Sequence, residues 1–553
     1  MTFFPPCFLR AVTFLLITGS LVCAAAETPE PATEAKPETS KDPEPVLNHF
    51  YIREYRVQGV KHLPALDVEK AVYPFLGPRR TAEDVEQARA ALQKAYDEKG
   101  YKTVTVEIPP QEPKRGVVKL LAVENTVGRL RVHGAKYFSI SQIKKQVPSM
   151  AEGTVVDFNK VTKELIALNQ LADRQVSPSL KPGVEPGTVD IDLEVKDKLP
   201  LHGNLELNNR YSPDTTELRV NGGISYNNLW QKGHAAGFNF QVAPENTDDA
   251  KVYSAYYLMR FEKLDGFSLM FNGTKQDSNI STLGGAAVAG RGEIIGVRGL
   301  FTLPGANQFY HSLSVGVDYK HFGENVIVGT DEVSTPITYW PASLSYGATW
   351  TQKHGFTELN AATTMHFRGS GSDPAEFDAK RYKADGGFFH FRCDLAHTQD
   401  LPLGLQVYGK VQGQASANSL INSEQISGGG LGTVRGYLES TALGDQGIFG
   451  TLELRTPSLL GFMNPKVDGK RDPEKEKHNE WRFYGFVDGG RLTLNDPLPD
   501  QVSSFVLASW GVGTRIKLLN HLNGSVDAGF PLKEAGTIKK NDLLLTFRLW
   551  TEF

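Results

Sequence analysis

After Pro200 the chain is written in alternation. Leu201, Gly203, Leu205 and Leu207 stand against His202, Asn204, Glu206 and Asn208, and Leu218, Val220, Gly222, Ile224 and Tyr226 against Arg219, Asn221, Ser225 and Asn227. Trp340, Ala342, Leu344, Tyr346, Ala348 and Trp350 oppose Ser343, Ser345 and Thr349, and a last row runs Leu543, Leu545, Phe547, Leu549 to Phe553. A period of two is that of a strand with one apolar face. It persists over about 350 residues, far beyond one sandwich domain. The polar face carries Asn, Gln, Arg and Asp, which suits a wet interior, and aromatics at both ends of a row suit a strand that crosses two lipid–water interfaces. Sixteen strands over residues 200–553 would leave about 22 residues each, enough for about 10 to cross a tilted bilayer plus a turn. Fourteen or eighteen strands fit the same arithmetic. Closure is required, because an open sheet edge cannot satisfy its amides in lipid. The pattern predicts an all-β transmembrane barrel over 199–553, of about 16 antiparallel strands.

The preceding 150 residues have a different texture, which reads as two α/β modules of one plan, β-α-α-β-β. In residues 50–124 a strand (Ile52, Tyr55, Val57) ends at Gly59. A helix capped by Thr81 and Asp84 then runs through Val85, Ala88, Leu92 and Tyr96 to Gly100, and strands follow at Tyr101–Glu107 and Gly116–Glu124, parted by Pro109-Pro110. In residues 125–198 the order recurs: a strand through Leu130 and Val132 to Gly134, helices over Ser139–Val147 and from Asp157 to Leu171, then strands Val176–Leu180 and Val189–Val195.

Residues 1–26 read as a secretory signal: Arg10, an apolar stretch from Ala11 to Val22, and Ala24-Ala25-Ala26 as a cleavage site. The apolar run is too short for a membrane span. Cys23 hints at a lipid anchor, but bulky Val22 stands where a small residue belongs. Residues 27–49 alternate Pro with Glu, Thr and Lys and read as a solvated linker.

Composition narrows the class further. Charged residues make up 22%, too many for a bundle of membrane helices, while 54 Gly, 30 Phe and 19 Tyr favour strands and turns. Lys plus Arg (59) nearly balances Asp plus Glu (63), so no nucleic-acid partner is expected. Three cysteines cannot form a disulfide framework, and removal of the signal leaves Cys393.

Catalytic signatures are missing: there is no G-x-S-x-G elbow, no phosphate loop, no H-E-x-x-H and no Cys pair at metal spacing. No catalytic residue, cofactor or metal is therefore expected. His390, Cys393 and His397 come nearest to a ligand set, but strand parity puts His390 on the opposite face from the other two. The most informative stretch is Gly428–Tyr437, which contains Val434, Arg435, Gly436 and Tyr437. It lies in an interval (415–446) well above ordinary loop length. Folded inward, Arg435 would need an anionic partner. Asp488 is suited: in Phe486-Val487-Asp488-Gly489-Gly490 it shares a face with Arg482, Tyr484 and Phe486, turned away from the lipid-facing Trp481, Phe483 and Val487.

The order of signal, two modules, barrel, V-R-G-Y loop (Val434–Tyr437) and F-x-D-x-G strand (Phe486, Asp488, Gly490) resembles the outer-membrane transporters of two-partner secretion, the haemolysin-activator type. These belong to the barrels with polypeptide-transport-associated (POTRA) domains. Pro109-Pro110-Gln111, Val195-Lys196-Asp197, Leu199–Gly203, Tyr226–Leu229, Gly444–Gly447 and Gly511-Val512-Gly513 add to the match. The resemblance implies two periplasmic POTRA domains (50–124 and 125–198) that recognise an unfolded exoprotein, haemolysin- or adhesin-like, and an outer-membrane barrel that exports it. It implies contact between Arg435 and Asp488. Outer-membrane lipid and the barrel-assembly machinery would be further partners. The alternative within the superfamily is an outer-membrane protein assembly or insertion factor, which usually has more than two POTRA modules. Family members often begin with a helix that plugs the pore. Residues 27–46 are too rich in proline for such a helix, so either it is lacking or the linker itself occupies the pore.

Overall fold

The computed structural model describes residues 49–553 apart from 113, 262–263, 265, 278–279, 282–287, 290, 307, 329–330, 461–478 and 520; for 114, 280–281, 288–289, 324–328 and 331–334 it describes the backbone alone. The expected signal, and the linker up to residue 48, lie outside the described residues, as does any plug helix.

The first module builds a sheet in which Val117–Glu124 is central, parallel to Glu54–Gln58 and antiparallel to Val104–Glu107. Helix Ala82–Glu98 covers it with Val85, Ala88, Leu92 and Tyr96. Its capping box is complete: Thr81 Oγ1 accepts the Asp84 amide, and the Asp84 carboxylate accepts the Thr81 amide. A second helix, Ala65–Val72, precedes it and was not located from the sequence; with only Val72 buried, its apolar signal is weak. The second module repeats the sheet, with Thr188–Asp197 between Thr126–His133 (parallel) and Arg174–Pro182 (antiparallel). Its second helix, Phe158–Leu168, ends before Leu171, which caps the core from the following turn.

The repeat is visible atom by atom. Gly59 (φ +83°) and Gly134 (φ +83°) end the first strands so tightly that an added Cβ would lie 2.2 Å from the Ala122 carbonyl oxygen and 2.3 Å from that of Val195. Two residues beyond those carbonyls a carboxylate gathers the amides of the glycine turn. Glu124 accepts from Lys61 and His62, and Asp197 from Lys136, Tyr137 and Phe138. The positive φ explains why glycine closes each first strand, and the carboxylate satisfies amides that helix and sheet leave over.

From Leu201 to Glu552 the strands close into an antiparallel barrel. Seventeen hydrogen-bonded segments make sixteen strands, because Asp331–Tyr339 and Ala342–Gln352 both pair with the long strand Phe309–Val328 and form one strand broken at Trp340-Pro341. Trp340 therefore falls in the break and not within the apolar row to which periodicity assigned it. The seam joins Leu544–Glu552 to Leu201–Asn208. Alternation sorts the faces: Leu205, Leu207, Ile224, Leu344, Leu452, Leu454, Val487, Leu545 and Leu549 point outward and are exposed. Glu206, Asn208, Glu453, Asp488 and Asp527 point inward and are buried. The eleventh strand begins at Gln406, just after Pro402–Gly404 forms a 3-10 turn with Leu403 at φ +65°.

The second module is keyed to the barrel rim. Asp173 meets His202 at 2.9 Å. Gln231, in the turn after the second barrel strand (Arg219–Leu229), accepts the Ser139 amide at 2.9 Å and donates to the Tyr137 carbonyl at 3.1 Å.

Candidate functional site: the inward loop and its anchors

Between the eleventh strand (Gln406–Ser416) and the twelfth (Gln446–Arg455) the chain folds back on itself as a hairpin. Its stem pairs Ile426–Gly428 with Ala442–Gly444, and Gly430 donates its amide to the Tyr437 carbonyl across the tip. Val434, Tyr437 and Ala442 are buried against Phe449, Leu492 and Leu507, side chains of the wall that point inward. The loop runs inside the barrel.

Arg435 is brought onto Asp488. Its Nε and Nη2 donate to Oδ2 and Oδ1 of Asp488 at 2.7 and 2.8 Å, and its own amide donates to Oδ2 at 3.1 Å. Arg435 is 4% exposed and Asp488 2%. This two-pronged fit is what the planar guanidinium allows and a lysine does not.

Asp488 is not the sole partner. Nη1 also donates to Glu453 at 2.6 Å and approaches Asp527 at 3.5 Å. Glu453 is shared with Arg455 (2.7 Å) and Arg515 (3.4 Å), and Asp527 accepts the Tyr484 hydroxyl at 2.8 Å. Beneath the guanidinium lies the Phe486 ring, its centroid 3.5 Å from Cζ. Sequence reasoning missed Glu453 and Asp527. Parity on their strands carried the signal: each follows an exposed apolar residue, Leu452 and Val526, and so turns inward.

The remaining motif residues fit the loop to the wall. Tyr437 places its hydroxyl against the carbonyls of Ala508 (3.0 Å) and Lys533 (2.8 Å). Gly436, at φ +87°, lies on the backbone of Gly529. Gly490 leaves room for the Phe449 ring, which would meet an added Cβ at 2.1 Å. At the loop's far end Asp445 accepts from Leu420 N (2.9 Å), Gln425 Nε2 (3.0 Å), Asn495 N (2.7 Å) and Arg381 Nη2 (3.1 Å).

His390, Cys393 and His397 are kept apart, as parity requires. His390 points inward to Glu424 (3.1 Å), while His397 pairs with Thr357 Oγ1 (2.9 Å) on the face of the exposed Phe389, Phe391 and Leu395. Cys393 shares that outer face.

These features define a class: an outer-membrane barrel preceded by periplasmic modules, with one long loop tied inside the lumen. Comparison with known proteins places it further. Residues 187–516 match the family described as haemolysin secretion/activation protein ShlB/FhaC/HecB, and residues 50–125 match the ShlB-type POTRA domain. The chain belongs to this family, the outer-membrane transporters of two-partner secretion, whose POTRA domains lie in the periplasm. It is 21% identical over 529 residues to outer membrane transporter CdiB of Dickeya dadantii (strain 3937), covering 91% of this chain and 87% of that one. It is also 21% identical to the heme/hemopexin transporter protein HuxB of Haemophilus influenzae (strain 86-028NP), over 68% of this chain and 66% of that one. Among solved structures, CdiB from Escherichia coli superposes with a TM-score of 0.62 at 19% identity, covering 94% of this chain and 93% of that one. BamA from Haemophilus ducreyi lacking POTRA domains 1–3 gives 0.53 at 15% identity, over 91% and 100%. The latter likeness is one of fold.

Proposed function

We propose that the chain exports a single cognate exoprotein as a passive translocator, with Arg435 and Asp488 holding the inward loop until cargo arrives. Residues 50–124 and 125–198 act as two POTRA domains, and an extended cargo segment adds to one of their open sheet edges. Residues 199–553 form the conduit, and the segment 415–446 is its internal obstruction. The observation that carries this reading is the bidentate, buried pair between Arg435 and Asp488. A buried guanidinium that loses its carboxylate costs about 3–5 kcal/mol, so the pair keeps the loop inside until something displaces it. No catalytic role is assigned. Outer-membrane lipid surrounds the exposed apolar face, and the barrel-assembly machinery inserts the protein during biogenesis. An assembly factor would share the fold; the family match over 187–516 favours export.

The test is export of the cognate exoprotein from cells carrying the full chain or a chain lacking residues 51–123. Loss of export with a barrel that still migrates faster unboiled than boiled is the expected outcome. Unchanged export would refute the receptor role of the first module, and a mobility indifferent to boiling would count against the closed barrel.

A further inference from the structure

The inward loop has a second buried anchor, on a different sector of the wall. Glu424, in a 3-10 turn at Asn422–Glu424, is 2% exposed. Its Oε1 accepts from Lys320 Nζ at 2.5 Å and from the Tyr339 hydroxyl at 2.6 Å, and Oε2 meets His390 Nε2 at 3.1 Å. The Glu424 carbonyl accepts from Arg392 Nη2 (3.1 Å) and Gln414 Nε2 (3.2 Å). Leu420 and Ile421 of the same limb pack with Phe322, Tyr339, Phe377 and Phe388, all buried.

These partners stand on the seventh, eighth, tenth and eleventh strands. Those of Arg435 stand on the twelfth, thirteenth and fifteenth. The two anchors share no residue, and they grip different parts of one hairpin: Glu424 before the stem strand Ile426–Gly428, Arg435 in the tip beyond it. A loop fixed at one point could pivot about it. Fixed at both, it is stretched across the lumen.

We infer that Glu424 is a positioning residue of the transport cycle, and that opening the pore requires release of the Glu424 anchor as well as the Arg435 anchor. The inference rests on the reading of this loop as the internal obstruction. Its chemistry is that of a buried carboxylate with Lys320 and the Tyr339 hydroxyl on one oxygen and His390 on the other. Amidation at Glu424 keeps the shape and removes the charge, leaving Lys320 without its counter-ion in a buried place.

The experiment is single-channel recording of the full-length protein, wild type, Glu424→Gln, Asp488→Asn and both together. Heat-modifiable mobility reports barrel folding, and trypsin reports exposure of the Arg435–Gly436 bond. Glu424→Gln is expected to raise open-state occupancy about tenfold, and the double variant to multiply the two single effects, since separate anchors contribute independently. Trypsin cleavage after Arg435 should increase in parallel. If the double variant behaves as Asp488→Asn alone, the second anchor is overturned. Asp488→Asn with unchanged conductance would instead overturn the reading of the loop itself. Should Glu424→Gln not fold, Tyr339→Phe decides: it removes the hydroxyl that bonds Glu424 and Ser423 and keeps the ring in place, and a shift in the same direction supports the anchor while wild-type occupancy refutes it.

Discussion

Gly436 and Gly529 touch backbone to backbone: a Cβ on Gly529 would lie 2.6 Å from the Gly436 amide nitrogen and 2.7 Å from its Cα. The contact lets the residue after Arg435 lie flat on the fifteenth strand (Leu522–Pro531), which brings the guanidinium within reach of three carboxylates on the wall. The motif glycine and the wall glycine are one fitting.

Gly529→Ala should therefore displace the loop without touching any charge. Overpacking of this kind costs about 1–3 kcal/mol. The expected result is a folded barrel with raised conductance and reduced export. Channel recordings on the variant check it, and wild-type conductance would show that the close approach is dispensable.

The ion cluster predicts an asymmetry within the pair. Arg435→Ala takes the cation from Asp488 and Asp527 and leaves Glu453 to Arg455 and Arg515, while Asp488→Ala leaves Arg435 its contact with Glu453. Both should impair export and alter conductance, the arginine variant more severely, by up to about 3–5 kcal/mol of loop anchoring. The double variant should be little worse than Arg435→Ala, since both changes break one network. Arg435→Lys should rescue poorly. Export and conductance across the cycle measure this, and simple addition of the two losses would mean that the residues act separately.

Much of this was legible beforehand, because period-two alternation is a physical consequence of one face meeting lipid and the other water. The same parity placed Asp488 inward and set His390 apart from Cys393. What escaped is instructive. Helix Ala65–Val72 buries too little to leave a stripe, and Glu453 and Asp527 are charges in strands with no motif around them. The break at Trp340-Pro341 has only a proline to announce it. Glu424 lies in a loop, where no periodicity applies, and the partners of its carboxylate are 34 to 104 residues away in sequence.

Gln231 offers a test of how the periplasmic modules are held to the barrel. It bridges the Ser139 amide and the Tyr137 carbonyl from a turn in which Trp230 and Gln231 both have positive φ. Gln231→Ala leaves that buried-edge amide to water and should cost about 0.5–1.5 kcal/mol at the joint. Faster hydrogen exchange at residues 137–143 of the full-length protein, with the barrel unaffected, is the expected signature. Unchanged exchange would mean that the joint is held by Asp173 and His202 instead.

The last prediction concerns acid. Burial alone would push the Glu124 carboxyl up, but the backbone N–H groups of Lys61 and His62, the His62 ring and the Tyr96 hydroxyl outweigh it and hold the carboxyl below its ordinary 4.5. A carboxylate with a depressed folded value stabilises the fold fully above its unfolded value, and that contribution is lost as pH falls through the folded one. The first module should therefore lose stability on acidification from pH 5 downward, since a protonated Glu124 cannot accept all four donors as strongly. Glu124→Gln should weaken the module at pH 7, where the wild-type carboxylate is charged. Its deficit should shrink as pH drops below 4.5, because the wild type then approaches the neutral state that the amide mimics. Hydrogen-exchange protection of helix 82–98 in both full-length proteins from pH 7 to pH 3 reads this directly. A deficit that stays constant across the range would show that Glu124 acts through shape and not through its charge.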